Sequence, residues 1–191
     1  LFQGVKQPGG ATGAMDRALD GAISALIADG EIKGRKGEVT IIHTFGRIPP
    51  ARVVVAGLGK SEDFNPDVVR QVMAIVCRRM RSAGVERFAT ILHGAGIGSL
   101  DTSEAAQAVA EGSMLGLYTF RKHFTRNENP DKDVREVTVV ETDASRVSVA
   151  QQGLDTGRII AEATMLARNM VNEPSNFMTP THIADIASQV A

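Results

Sequence analysis

The stretch "ARVVVAGLGKSEDFNPDVVRQVMAIVCRRMRSAG", Ala51 to Gly84, decides the fold. It opens on three consecutive valines, an apolar run that suits a strand buried on both faces. "GLGKSEDF" turns the chain, and Asn65 and Pro66 then take the N-cap and first positions of a helix. Val69, Val72, Met73, Val76, Met80 and Ala83 recur at intervals of three and four, and Gly84 stops the helix. A strand leading through a short turn into an amphipathic helix is the repeating unit of an α/β layer.

The same alternation extends in both directions. Upstream, Ala14 to Ala28 places Leu19, Ile23, Leu26 and Ile27 at helical spacing and predicts one helix ended by Gly30. "EVTIIHTF", Glu38 to Phe45, is rich in β-branched residues and is separated from the strand at Ala51 to Gly59 by Gly46 and Pro49-Pro50, so the two are consecutive strands. Downstream, "RFATILH", Arg87 to His93, is a strand, Ser103 to Leu117 a helix with an alanine-rich face, and "REVTVVE", Arg135 to Glu141, a strand reached through the polar loop "TRNENPDKD". A long helix runs from about Ser145 to Met170, with Ala150, Gly153, Gly157 and Ala161 as a small-residue edge that admits a close neighbour. The expectation is an α/β layered domain with a mixed, largely parallel sheet flanked by helices. Leu1 to Gly4, "LFQG", reads either as the end of a native first strand or as the tail of an engineered protease site.

Composition narrows the function classes. The 191 residues are 43% hydrophobic and 23% charged, as in an ordinary globular chain, and a net charge of −1 with intermixed signs points to neither a nucleic-acid nor a membrane partner. No apolar run approaches the ~18 residues of a membrane span. The single cysteine, Cys77, excludes an internal disulfide and fits a reducing, cytoplasmic setting.

The motifs that could carry chemistry each have a plainer reading. "GLGKS", Gly57 to Ser61, lacks the leading glycine of a P-loop, Val54 standing there, and Glu62 and Asp63 would repel phosphate; it is a strand-to-helix turn. "HGAGIGS", His93 to Ser99, follows a strand and precedes a helix, where backbone amides can cradle an anion, but its glycines at 94, 96 and 98 miss the dinucleotide spacing. His43, His93, His123 and His182 share no metal-binding spacing and read as structural or solvated. Arg70, Arg78, Arg79, Arg81 and Arg87 make a basic patch without interleaved aromatics, hence a solvated helix face. Cys77, on an amphipathic helix beside Arg78, reads as a small buried hydrophobe. No nucleophile, base and orienter form a recognisable set.

The end of the chain carries a resemblance. "LARNMVNEPSNFMTPTHIADIA", Leu166 to Ala187, resembles the junction segment of the leucyl aminopeptidases, the M17 family of cytosol aminopeptidases. Ala167, Arg168, Val171, Asn172, Pro174, Asn176, Thr179 and Pro180 fill the family's pattern there, and "VVVAGLGKSEDFNPDVVRQV" is similar to its strand exit and helix. The resemblance covers the chain and implies a macrodomain-like N-terminal domain over residues 1–144, a connecting helix over 145–170, and the truncated start of a C-terminal catalytic domain over 171–191. It implies an assembly or regulatory role in a hexamer. The full-length enzyme would remove N-terminal residues, leucine preferred, from peptides by water activated on two divalent ions, manganese or zinc. The family's metal and catalytic residues are not present: "ETDAS", Glu141 to Ser145, fails as their signature because Ser145 and Arg146 replace its Glu and Gly. No catalytic, cofactor-binding or metal residue is therefore assigned, and the chain alone is expected to be inactive. The alternatives are a phosphate- or ADP-ribose-binding macrodomain-like module at the Gly94 to Gly98 turn, and a DNA-binding domain.

Overall fold

A computed structural model describes residues 1–95, 100–125 and 133–190. Among the described residues six α-helices and four strands follow one another as α1 (Gly10–Ala18), α2 (Ala22–Ala28), β1 (Val39–His43), β2 (Arg52–Ala56), α3 (Pro66–Ser82), β3 (Arg87–Ile91), α4 (Thr102–Leu117), β4 (Glu136–Val140), α5 (Val147–Asn172) and α6 (Pro180–Val190). The α/β alternation read from the sequence is thus present. Two expectations are corrected.

The helix expected over Ala14 to Ala28 is two helices. Asp20 and Gly21 adopt left-handed backbone angles (φ 54° and 82°) between them. The break is stabilised from within, because the Asp16 carboxylate turns back to accept the Ser24 backbone N–H at 2.9 Å and the Ser24 hydroxyl at 2.5 Å. It thereby satisfies a donor in the first turn of α2.

The strands, too, form two pairs among the described residues, not one largely parallel sheet. β1 and β2 are antiparallel, with Ile41 opposite Val54; β3 and β4 are parallel, with Ala89 opposite Thr138. The connection from Thr44 to Ala51 is too short for the crossover of about a dozen residues that a parallel pair requires, so it closes a hairpin. The Thr44 hydroxyl, buried, donates to the Pro50 carbonyl at 2.7 Å and staples it.

Alternation places the hairpin's two faces on different helices. Val39, Ile41, Val54 and Ala56 pack with Val68, Val72, Val76 and Met80 of α3. Ile42, Val53 and Val55 pack with Leu19 and Ile23 of α1–α2. The β2 valines are therefore covered on both sides, as their unbroken run predicts. In the second pair Phe88, Val137 and Val139 pack against α3 and α4, while Arg87, Ala89, Ile91, Glu136, Thr138 and Val140 are exposed. Residues 1–3 lie beside the exit of β2: Phe2 makes a parallel bridge to Gly59, and Leu58 N–H donates to the Leu1 carbonyl at 2.9 Å.

α3, α4 and α5 stack at short range on glycines. A Cβ on Gly116 would lie 2.5 Å from the Ala74 Cα, and one on Gly153 2.2 Å from the Ser103 carbonyl oxygen. Ala150, Gly153, Gly157 and Ala161 are the buried residues of α5, the small-residue edge named from the sequence. α3 begins at Pro66 under the Asn65 side chain, which accepts from Val68 N–H at 3.1 Å.

Candidate functional site

A cluster of interlinked polar groups lies where α5 ends. Glu173 follows the helix with extended backbone angles, and Pro174 cannot continue it. The N–H groups of Phe177 and Met178 both donate to the Pro174 carbonyl at 2.9 Å, folding the turn back on itself. Thr179 then starts α6 by accepting His182 N–H at 3.3 Å, with Pro180 at the first helical position, as the sequence predicts.

Against this turn lies the segment after α4, Tyr118 to Phe124. Tyr118 donates to Asn169 Oδ1 at 2.8 Å and accepts from Asn172 Nδ2 at 3.1 Å, and the Arg168 guanidinium sits 5.4 Å from the centre of its ring. The Glu173 carboxylate is covered, its side chain 4% exposed, yet it lies close beneath the surface under a thin layer of neighbours. Its two oxygens have different partners: Lys122 Nζ at 2.9 Å on Oε2 and His123 Nε2 at 2.7 Å on Oε1. The His123 ring is tilted between Phe120 and Phe177, with centroids 5.8 and 5.0 Å away. The Lys122 hydrogen bond holds the Glu173 carboxyl below the usual carboxylate range, with burial opposing and His123 assisting. Beside the cluster is an open groove of about 300 Å³ lined by residues including Arg121, Asn169, Met170, Met178, His182 and Ile186.

The four histidines remain apart from one another in function. His43 closes β1 beside Phe45, His123 braces Glu173, His182 lines the groove, and His93 sits past β3 with Nε2 3.2 Å from Thr90 Oγ1. Burial pushes the His93 pKa down to about 4. Among the described residues no three His, Cys, Asp or Glu side chains come close enough to hold a metal ion. Cys77 is fully buried, and burial pushes its thiol pKa up, which makes it a packing residue. In the arginine patch, Arg70 pairs with Glu111 and Asp67 and Arg81 donates to the Leu117 carbonyl, while Arg78, Arg79 and Arg87 are exposed. Gly57 to Ser61 is a turn in which Lys60 lies 3.7 Å from Glu62. Most of the Gly94 to Gly98 turn lies outside the described residues, as do residues 126–132 of the polar loop.

Glu173 is the residue that sequence reasoning missed. Its partners lie 50 and 51 residues upstream, so no local spacing announces them. The one available signal was a charged residue placed directly before the proline that ends the helix.

Residues 1–125 match the family model described as "Cytosol aminopeptidase family, N-terminal domain". Over its whole length the chain is 36% identical to a probable cytosol aminopeptidase of Alkaliphilus metalliredigens and 34% identical to one of Alkaliphilus oremlandii, spanning 38% of each. Among solved structures, the bottromycin maturation enzyme BotP in complex with Mn superposes on all of the chain with a TM-score of 0.73 at 25% identity, the chain covering 34% of it. A tomato leucine aminopeptidase mutant shares the fold over 94% of the chain, with a TM-score of 0.73 at 21% identity. The chain therefore spans a little over a third of the length of the proteins it matches.

Proposed function

From a chain that belongs to the cytosol aminopeptidase family, through its N-terminal domain, we propose a division of labour in which residues 1–191 support catalysis performed elsewhere in a longer polypeptide. The observation that carries this reading is one of coverage: the entire chain aligns with little more than a third of each aminopeptidase relative. The finer fold is a macrodomain-like layer over residues 1–144. A connecting helix comes next, and the segment from 171 onward opens the catalytic domain. α5 supports that division physically, since it runs unbroken from Val147 to Asn172 along α4 and carries the chain from β4 to the junction segment on one continuous rod.

The full-length protein would be a cytoplasmic leucyl aminopeptidase, assembled as a hexamer and hydrolysing peptides with two divalent ions, manganese or zinc. The Mn complex of the BotP relative is consistent with that choice of metal. When bound, such ions polarise the scissile carbonyl and activate water. The described residues of this chain offer no matching donor set, so the ion ligands would lie beyond it. What these residues do instead is hold shape: α3, α4 and α5 as a close-packed stack, and the Glu173 cluster at its far end.

The test is hydrolysis of leucine p-nitroanilide with added manganese. The 191-residue chain is expected to release no p-nitroaniline above a no-enzyme control, and the polypeptide extended to the relatives' length is expected to release it steadily. Turnover by the 191-residue chain, abolished by a chelator, would overturn the assignment.

A further inference from the structure

No residue of α6 is fully buried; Ile186 is half-buried and, with His182, lines the groove beside Met170, so packing of its own holds the orientation of α6 only weakly. The turn before it is secured locally by the two N–H bonds to Pro174, which fix its shape but not the direction in which it leaves the domain. Contacts to the domain body come from Glu173, whose oxygens are taken separately by Lys122 and His123, and from Phe177 against the His123 ring. Two partners on the two oxygens fix a carboxylate in rotation as well as in place. Because Lys122 and His123 are adjacent in the segment leaving α4, the brace ties the end of α5 to the end of α4.

We propose that Glu173, Lys122 and His123 form a charge-locked clamp that sets the direction in which the chain leaves α5 and so aims α6. Glu173 is a positioning residue in this role. The charged and titratable groups facing it are Lys122 and His123 from the segment after α4, with Arg121 from the same segment and His182 from α6 lining the adjoining groove. Arg121 is engaged with Asp133 at 3.3 Å. Glu173 is the one carboxylate in that groove among the described residues. Since Lys122 keeps its carboxyl charged below the usual range, the clamp stays closed through mildly acidic conditions and opens only in stronger acid.

The clamp can be tested without reference to peptidase activity, so its failure and that of the proposed function are separate. Nitroxide labels at Glu104→Cys on α4 and Ser188→Cys on α6, both exposed sites, report the orientation of α6 by pulsed dipolar spectroscopy; Cys77 is fully buried and stays unlabelled. The otherwise unaltered chain is expected to give one narrow distance peak at neutral pH that broadens in strong acid before the far-UV helix signal falls. Glu173→Gln is expected to lose the narrow peak at neutral pH and to lose the acid response. If Glu173→Gln does not fold, the pair Lys122→Met with His123→Gln, at more accessible positions, is expected to lose the peak in the same way. An unchanged narrow peak in a folded variant of either kind overturns the proposal.

Discussion

Gly153 and Gly157 bring α5 against the α4 backbone and the Cβ atoms of Ala106 and Ala110: a Cβ on Gly157 would stand 2.6 Å from the Gln107 carbonyl oxygen and 2.9 Å from the Ala110 Cβ. The obstacles are backbone atoms and alanine Cβ atoms, none of which can rotate aside. Gly153→Ala is therefore expected to destabilise the chain by about 1–3 kcal/mol in urea unfolding, despite the better helix propensity of alanine. This site was legible in the sequence because small residues four apart have one mechanical use on a helix. His93 was legible only as a residue type at a strand end. Its pKa falls from an ordinary 6.5 to about 4 by burial, so the folded state favours the neutral ring. The stability this supplies is complete above the unfolded value and is lost as pH drops from about 6.5 toward 4. His93→Gln is expected to flatten that part of the stability-versus-pH curve by on the order of 2 kcal/mol, measured by denaturant midpoints at several pH values.

At the level of elements, the two helix pairs of the stack are joined differently. α3 and α4 share a charged network in which Glu111, 7% exposed, accepts from Arg70 and from Gln107 Nε2 at 2.6 Å. Glu111→Ala would leave the Arg70 guanidinium with Asp67 as its remaining carboxylate, on the exposed side. The expected loss is about 2 kcal/mol, below that of a fully buried pair because Arg70 reaches solvent. α6 depends on its cap, having no buried face. Thr179→Ala is expected to weaken it by about 1 kcal/mol and to speed amide exchange in its first turn while leaving α3 protected. The caps of α3 and α6 were readable because Asn-Pro and Thr-Pro act on their immediate neighbours. The break between α1 and α2 was not, since Asp16 and Ser24 meet only after the chain has turned at Asp20 and Gly21. Strand pairing was misjudged for a related reason: β-branched content marks a strand without stating the direction of its neighbour.

Across the whole molecule, apolar side chains stand in solvent along the last two helices and the turn between them: Ile159 60% exposed, Val171 85%, Phe177 52% and Val190 69%. Surfaces of this kind associate. The 191-residue chain is expected to show concentration-dependent light scattering, reduced by Ile159→Lys with Val171→Lys and with no change in thermal midpoint, since neither residue supports the core. The alternating layers and the junction motif could be read from one sequence; the clamp could not, because it exists only once the ends of α4 and α5 are side by side. The position of α4 has a further bearing on how such a domain can change over time. Its Gly112 and Gly116 lie against Arg70 and Ala74 of α3, while its Ser103, Ala106, Gln107 and Ala110 lie under the glycines of α5. A substitution there must suit two neighbours at once, and a compensating change in one of them does nothing for the other. Sequence drift is thus channelled to the outward faces of α5 and of the β3–β4 pair, leaving α4, like α3 between the hairpin and α4, a poor place to begin redesigning the molecule.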